Sequence, residues 1–476
     1  MNSNGLHVLV VDLDGTLLKT DSLWELFFKT ISQGHLAPLF WLLSGRVAFK
    51  SRLAHATQLD LDILPWNEAV IQLAKEYRNY NQEVWLATAA DEFLAKKVVD
   101  HFDFFTGFIA SDGRNNLKGK AKAAELARRF GEGGFVYVGN SSADLEVWRR
   151  ASEAVVVGDH SLAVKAQSVN QKVTNIASNH SRFFTIRSIF HALRIHQWAK
   201  NILLFVPLLM GHLFTLAALN QVVLAFFSFC CFSSSGYILN DLLDISSDRC
   251  HPEKRLRPFA SGALDLPKGA ILFLIALMGS LILAWPLRHR FIILGILYLI
   301  SSLIYSLKLK NIIFIDIIVL VLLYCVRIFA GGEAIDLEIS QWLLSFSFFV
   351  FTALSLIKRL GEVSNITAGI IEHNSRRPYT VKDIILFQTI TSGCICCAVL
   401  TLAIYVGDIT ALKRYQNPQI LLFFCPILFY WLVRLMKLAN EGKMPYDPVF
   451  FTLKDKVSWV SLGLGLLIYF IATVGL

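Results

Sequence analysis

The sequence predicts a multidomain chain: an N-terminal parallel α/β domain with a small helical cap, then an all-α bundle of nine transmembrane helices. Three observations predict it. Residues 1–200 carry an ordinary load of charge, whereas 201–476 hold long apolar runs separated by short basic loops. The chain is 55% hydrophobic and only 17% charged, where a soluble domain runs nearer about 25% charged. Several short apolar strands in the first part end in acids, a hydroxyl or a lysine. At 476 residues the chain is long enough for two or three domains. Its composition excludes intrinsic disorder, a fibrous protein and an ordinary cytosolic globule.

The first strand, HVLVVDLDGTLL, ends in DxDGT. In an extended chain Asp12 and Asp14 point to the same side. One carboxylate there is suited to attack phosphorus, and the other to donate and accept the proton. A second strand, VWLATAA, ends at Thr88. NLKGKAKAAELARRFG then offers Lys118, Lys120 and Lys122 at a helix start, and GFVYVGNSSADLEVW is a strand followed by Asn140 and Asp144, a metal-ligand pair. Ligand sites of open parallel sheets lie at the carboxyl ends of strands, so these groups are expected to meet. Residues 20–80 suit a helical cap. Within it HLAPLFWLLSG is too short to cross a bilayer and is expected to be cap core, with bilayer contact the alternative. The opening MNSNGLHVLVVDLDG lacks the basic start of a secretory signal, which predicts a cytoplasmic N-terminal domain.

A span needs about 20 mostly apolar residues. The candidates are 202–219, 221–239, 270–287, 291–307, 312–332, 342–358, 384–406, 418–436 and 457–475. Loop charge sets their orientation. Arg249, Lys254, Arg255, Arg257 and Lys268 follow the second span. Lys308 and Lys310 follow the fourth; Lys358, Arg359, Arg376, Arg377 and Lys382 the sixth; Lys437, Lys443, Lys454 and Lys456 the eighth. These loops are expected in the cytoplasm and the C-terminus outside, giving a multi-pass protein of the inner (plasma) membrane. The formal charge of +9 follows from these loops rather than from nucleic-acid binding. Of the eight cysteines, only Cys250 lies outside an apolar segment. No CxxC pair has a matching second pair, so neither a disulfide framework nor a zinc site is expected.

Ionisable residues at membrane depth are costly and mark function. In YILNDLLDISSDRCHPEKRLRPFASG, Asn240, Asp244 and Asp248 recur at i, i+4 and i+8, with Asp241 beside them. On one helix they share a narrow arc. Carboxylates so placed repel unless a cation bridges them, and Mg2+ shared with a diphosphate answers that need. Lys254, Arg255 and Arg257 follow as phosphate ligands. LRIHQWAKNILLFVPLL supplies Trp198 and Lys200 as interfacial anchors. YSLKLKNIIFIDIIVLVLLYCVRIFAGG supplies Tyr305, Lys308 and Asp316, with Arg327 deep in a span, where it needs an anion partner. LIKRLGEV places Lys358, Arg359 and Glu362 at a helix end. Asp447 and Asp455 suit helix capping.

Residues 185–476 resemble the UbiA-type intramembrane prenyltransferase superfamily. That resemblance implies a nine-helix bundle binding a diphosphate through Mg2+ at a cytoplasm-facing cavity. The aromatic prenyltransferases of the superfamily carry a second Asp-rich motif where this chain reads LIKRLGEVSN. The order QWxKN, NDxxDxxxDxxHPxKxxRPxASG, YSxxLK, RxxAG and KR is instead similar to decaprenyl-phosphate phosphoribosyltransferases. This implies phosphoribosyl diphosphate as donor and a polyprenyl phosphate as acceptor. Asn240, Asp241, Asp244 and Asp248 would hold Mg2+ and diphosphate, and Lys254 and Arg257 the 5-phosphate. Lys200, Tyr305, Lys308, Arg327, Lys358 and Arg359 would hold the lipid phosphate. The alternative is an aromatic prenyltransferase of the 4-hydroxybenzoate type, using a polyprenyl diphosphate. A transporter is a further class, against which the acids lie at one membrane face and no inverted repeat is evident.

Residues 1–180 resemble the Rossmann-like haloacid dehalogenase superfamily, in its phosphoserine-phosphatase-like branch. This implies Asp12 as nucleophile, Asp14 as acid/base, Thr88 and Lys122 on the phosphate, and a second Mg2+ held by Asp12, Asp14, Asn140 and Asp144. The last motif of that family reads GD; here Asn140 replaces the acid and the site loses a negative charge. A phosphatase on the same membrane face would act on the transferase product by raised local concentration. An oligomer is compatible with either half.

Overall fold

The computed structural model describes residues 8–41, 45–111, 117–177, 182–367, 379–444 and 448–474. Arg376, Arg377 and Asp447, named above, lie outside them. The chain divides into two compact units. One comprises Met1–Leu193 with Tyr237–Leu272, the other Arg194–Gly236 with Phe273–Leu476.

The first unit is built on six strands: β1 (Val8–Val11), β2 (Val84–Asp91), β3 (Gly107–Ser111), β4 (Phe135–Gly139), β5 (Glu153–Gly158) and β6 (Val173–Ala177). They form one parallel sheet in the order β3-β2-β1-β4-β5-β6. Parallel strands need crossover connections that cover both faces, and so read as continuous apolar runs. Leu9, Val10 and Val11 are accordingly buried, as are Val136 and Val138 on β4. Chain order reverses about β1, which lies between β2 and β4. The carboxyl ends of these strands therefore open a crevice.

Between β1 and β2 stand the helices Ser22–Ser32, Ala37–Trp41, Arg46–Ala56 and Glu68–Asn79, where the sequence predicts a helical cap. Asp21 caps the first, its side chain accepting from the Leu23 and Trp24 amides. The apolar run around Ala37–Trp41 is not cap core. Leu36, Leu39 and Phe40 are exposed, because a helix of five residues is too short to turn all its apolar side chains onto one support.

The second unit is helical. Ile315–Ala334 packs on Gln341–Thr367, which packs in turn on Ile384–Val406 and Phe424–Asn440 around Phe351, Leu356, Phe387 and Leu432. Among the described residues of the whole chain, eight helices are long and apolar enough to cross a membrane: Leu216–Leu243, Leu266–Ala284, His289–Leu307, Ile315–Ala334, Gln341–Asn365, Val381–Val406, Pro418–Asn440 and Lys456–Val474. The protein is thus a multi-pass membrane protein, with one span fewer among the described residues than the nine expected. The first expected span, 202–219, is broken. It becomes a 3-10 segment Ile195–Phe205, a short helix Val206–Met210 and the start of Leu216–Leu243. Pro207 brings no backbone N–H to a continuing helix, and His212 takes a left-handed φ of 53°, which ends one.

Candidate functional site

Three groups of the predicted residues come together, two in the first unit and one in the second. In the crevice of the sheet, Asp12 follows β1, Thr88 lies on β2, and Asn140 and Asp144 follow β4. Lys122 comes from the helix Lys120–Phe130. Its ammonium donates to Asp12 Oδ1 at 2.7 Å, Tyr137 Oη at 3.0 Å and the Ala87 carbonyl at 3.1 Å. The selection of Lys122 among three lysines follows from helix phase: it is buried, whereas Lys118 and Lys120 are not. Asp144 accepts from Tyr137 Oη (3.1 Å), the Asn140 and Ser141 amides (3.2 and 2.9 Å) and Ser141 Oγ (2.9 Å). Asp14 accepts from the Ser22 amide at 2.8 Å. Gly15 has φ +73°, and a Cβ there would lie 2.0 Å from Asn140 Nδ2, so only glycine lets the turn after Asp14 pass under Asn140. Thr88 is buried, its hydroxyl accepting from the Ala90 amide at 3.0 Å. Tyr137 was not singled out from the sequence; a hydroxyl in an otherwise apolar strand was its one signal.

Burial pushes the carboxyl of Asp12 up to about 6, with Lys122 opposing the rise and the charges of Asp144 and Asp14 adding to it. Burial likewise pushes Asp14 up to about 6, with Asp21 adding. Both hold their protons more tightly in the folded chain than in the unfolded one. The stability this contributes is fully present below about pH 4 and is lost as pH rises through about 6. An infrared titration of the metal-free protein is expected to show two coupled carboxyl steps near pH 6. Mg2+ is expected to draw them toward the ordinary carboxylate range, since a nearby cation favours the ionised form. Steps that ignore Mg2+ would count against the metal role that the resemblance implies for these residues.

The second group lies in the acidic segment. The helix Leu216–Leu243 stops just before Asp244, and Ile245–Arg249 begins after it. The predicted arc of Asn240, Asp244 and Asp248 is irregular at Asp244 alone: the Asp244 and Asp248 amides still donate to the Asn240 and Asp244 carbonyls, at 2.9 and 2.8 Å. Asp241 and Asp248, seven residues apart, converge. Arg257 Nη1 donates to Asp241 Oδ1 at 3.0 Å and to Asp248 Oδ2 at 2.6 Å. Both aspartates are buried, and burial raises the Asp248 carboxyl against the pull of Arg257. Asn240 and Asp244 are half-buried and Lys254 is exposed. Arg257, expected on a phosphate, is thus held by carboxylates. Two carboxylate oxygens on one cationic nitrogen form a donor set that suits a hard divalent ion. Among the described residues, however, no three His, Cys, Asp or Glu side chains are grouped so as to hold a metal ion.

In the second unit the buried Arg327 donates to Asn201 Oδ1 and Tyr298 Oη, both at 2.9 Å, and to the Leu323 carbonyl. Its guanidinium lies 4.7 Å from the Tyr298 ring centre. Neutral oxygens and an aromatic face are thus among the partners of this buried charge. Arg359 is fully buried in ion pairs with Asp316 and Glu362, both at 2.7 Å, and donates to Tyr305 Oη at 3.2 Å. Tyr379 donates to the other oxygen of Asp316. Breaking such a buried pair costs roughly 3–5 kcal/mol, so Arg359 and Asp316 tie together the segments that carry Tyr305, Asp316, Arg359 and Tyr379. Lys358 and Arg359 do not end their helix, which continues to Thr367. Lys200 and Lys358 are half-buried and Lys308 is exposed. Asp455 caps the helix Lys456–Val474 through Ser458 and pairs with Arg434. Leu209, Phe346, Leu402, Phe424, Trp431 and Leu462 line a largely apolar cavity of about 530 Å³.

The UbiA prenyltransferase family matches residues 204–453 of the chain. Uncharacterized protein y4nM of Sinorhizobium fredii is 34% identical over 459 residues, which cover 95% of this chain and 88% of that protein. Nodulation protein NoeC of Azorhizobium caulinodans is 32% identical over 286 residues, 59% of this chain and 92% of that protein. The decaprenyl-phosphate phosphoribosyltransferase of Mycolicibacterium smegmatis is 33% identical over 183 residues, covering 37% of this chain and 58% of that enzyme.

Proposed function

The chain belongs to the UbiA prenyltransferase family, and from that premise we propose that it transfers a 5-phosphoribosyl group from phosphoribosyl diphosphate to a polyprenyl phosphate. We propose further that its N-terminal domain, of haloacid dehalogenase type, removes the 5-phosphate from the product. The observation that carries the transferase reading is the convergence of Asp241 and Asp248 on one cationic nitrogen. The match to the Mycolicibacterium enzyme supports the choice of donor and acceptor. So does LIKRLGEV, whose Lys358 and Arg359 offer no paired carboxylates for a prenyl diphosphate.

Asn240, Asp241, Asp244 and Asp248 are the residues that would hold Mg2+ with the donor's diphosphate. The ion, when bound, would neutralise the departing charge. An oxygen of the lipid phosphate attacks C1 of the ribose, and the C1–O bond to diphosphate breaks, its electron pair leaving with diphosphate. The nucleophile is already ionised, so no general base is needed. Lys200, Lys308 and Lys358 are assigned to the acceptor's phosphate. Arg359 and Tyr305 act at one remove, since Arg359 is neutralised by Asp316 and Glu362. The apolar cavity of the second unit suits a polyprenyl tail.

For the phosphatase, Lys122 holds Asp12 Oδ1, so attack on phosphorus falls to Oδ2. Asp14 gives its proton to the departing ribose oxygen. It then takes one from the water that attacks phosphorus of the Asp12 acyl phosphate; the P–Oδ2 bond breaks, inorganic phosphate leaves and the carboxylate is restored. Asn140 and Asp144 would complete, with Asp12 and Asp14, the oxygen ligands for Mg2+. A donor screen read by mass spectrometry of the lipid product tests both steps. The expected product is a polyprenyl-phospho-ribose without the 5-phosphate; a prenylated aromatic acid would sink the transferase reading.

A further inference from the structure

We propose that Glu25 is a positioning residue for the acidic segment, resting on the reading that this segment takes the donor's diphosphate. Glu25 lies in the first turn of the helix Ser22–Ser32. It meets Arg249, which directly follows Asp248 and is 224 residues away in sequence. Two guanidinium nitrogens donate to the two carboxylate oxygens, at 2.6 and 3.1 Å. Both side chains are almost fully buried, 5% and 3% exposed. Thr20 Oγ1 donates to Glu25 Oε1 at 2.7 Å, and Arg249 Nε donates to the Ala260 carbonyl at 2.9 Å.

A second contact supports the same docking. Gly262 has φ +74°, and a Cβ there would lie 3.2 Å from Lys19 Cβ and 3.4 Å from Thr20 Cγ2. The turn that closes the acidic segment thus lies against the loop between Asp14 and Glu25. Each end of this linkage carries a group with assigned chemistry. The helix that bears Glu25 begins by donating the Ser22 amide to Asp14. On the other side, Asp248 is held by Arg257.

A desolvated ion pair adds little net stability over an apolar pair of the same size, but it fixes geometry because both charges must remain matched. What Glu25 supplies is therefore the placement of residues 245–262. Preorganised diphosphate ligands bind the donor more tightly than loose ones, so Glu25 acts on donor binding and leaves the acceptor untouched.

The test uses the full-length protein in detergent or nanodiscs. Binding of Mg2+ with inorganic diphosphate is measured by calorimetry for wild type, Glu25→Gln, Arg249→Gln, the double variant and Asp241→Asn. Each single substitution of the pair is expected to weaken binding about tenfold, and the double variant no further, because paired residues are non-additive. With lipid acceptor present, donor KM is expected to rise by the same factor while acceptor KM and kcat stay within about twofold. If a single variant does not fold, the exchanged pair Glu25→Arg with Arg249→Glu is expected to restore binding. Wild-type binding in folded Glu25→Gln, additive losses, or no recovery in a folded exchanged pair would overturn the proposal. Wild-type binding in Asp241→Asn would instead overturn the assignment of the segment itself.

Discussion

Asp241→Asn is expected to lower lipid transfer by roughly 10²–10³-fold, the loss typical of removing one preorganised charge-stabilising group. Two effects combine. The side chain is buried and shares the Arg257 guanidinium with Asp248 at 3.0 and 2.6 Å. Asn keeps the shape but leaves Arg257 with one anionic partner, and removes an anionic ligand from the expected Mg2+ set. Transfer assays with radiolabelled phosphoribosyl diphosphate over a range of Mg2+ read the change. Raising Mg2+ is expected to recover part of the loss, which a purely structural defect would not show. Undiminished transfer by the folded variant would remove the acidic segment from the chemistry.

Asp12→Asn is expected to abolish release of the 5-phosphate, by on the order of 10³-fold or more for a lost nucleophile, and to leave transfer at its wild-type rate. The lipid product should then carry one additional phosphate in mass spectrometry. The physical basis is local. Asn presents no carboxylate oxygen to phosphorus, and the Lys122 ammonium that held Asp12 Oδ1 at 2.7 Å loses its anionic partner. Identical dephosphorylated products from variant and wild type would sink the phosphatase assignment. Loss of both activities in a folded protein would show that the two steps are not separable.

Much of the site was legible in the sequence where chemistry is local. DxDGT at a strand end put Asp12 at the carboxyl edge of β1, and the spacing of KGKAK gave a lysine that helix phase turned inward. Long apolar runs located eight of nine spans, because bilayer thickness sets helix length. The ninth failed because hydropathy does not register Pro207 or the left-handed His212. The spacing of Asn240, Asp244 and Asp248 could not show the irregularity at Asp244, where Leu216–Leu243 passes into Ile245–Arg249.

The sequence alone determined the two-part architecture, the parallel sheet's acidic edge and the charge of each candidate group. These follow from residue type, short-range spacing and hydropathy. Only the tertiary structure decided which charges are matched and which face outward. Arg359 lies closed between Asp316 and Glu362, Arg257 bridges Asp241 and Asp248, and Glu25 finds Arg249 across 224 residues. A buried charge must find a partner wherever the folded backbone brings one within hydrogen-bond reach, and no local pattern encodes a meeting between segments so far apart along the chain.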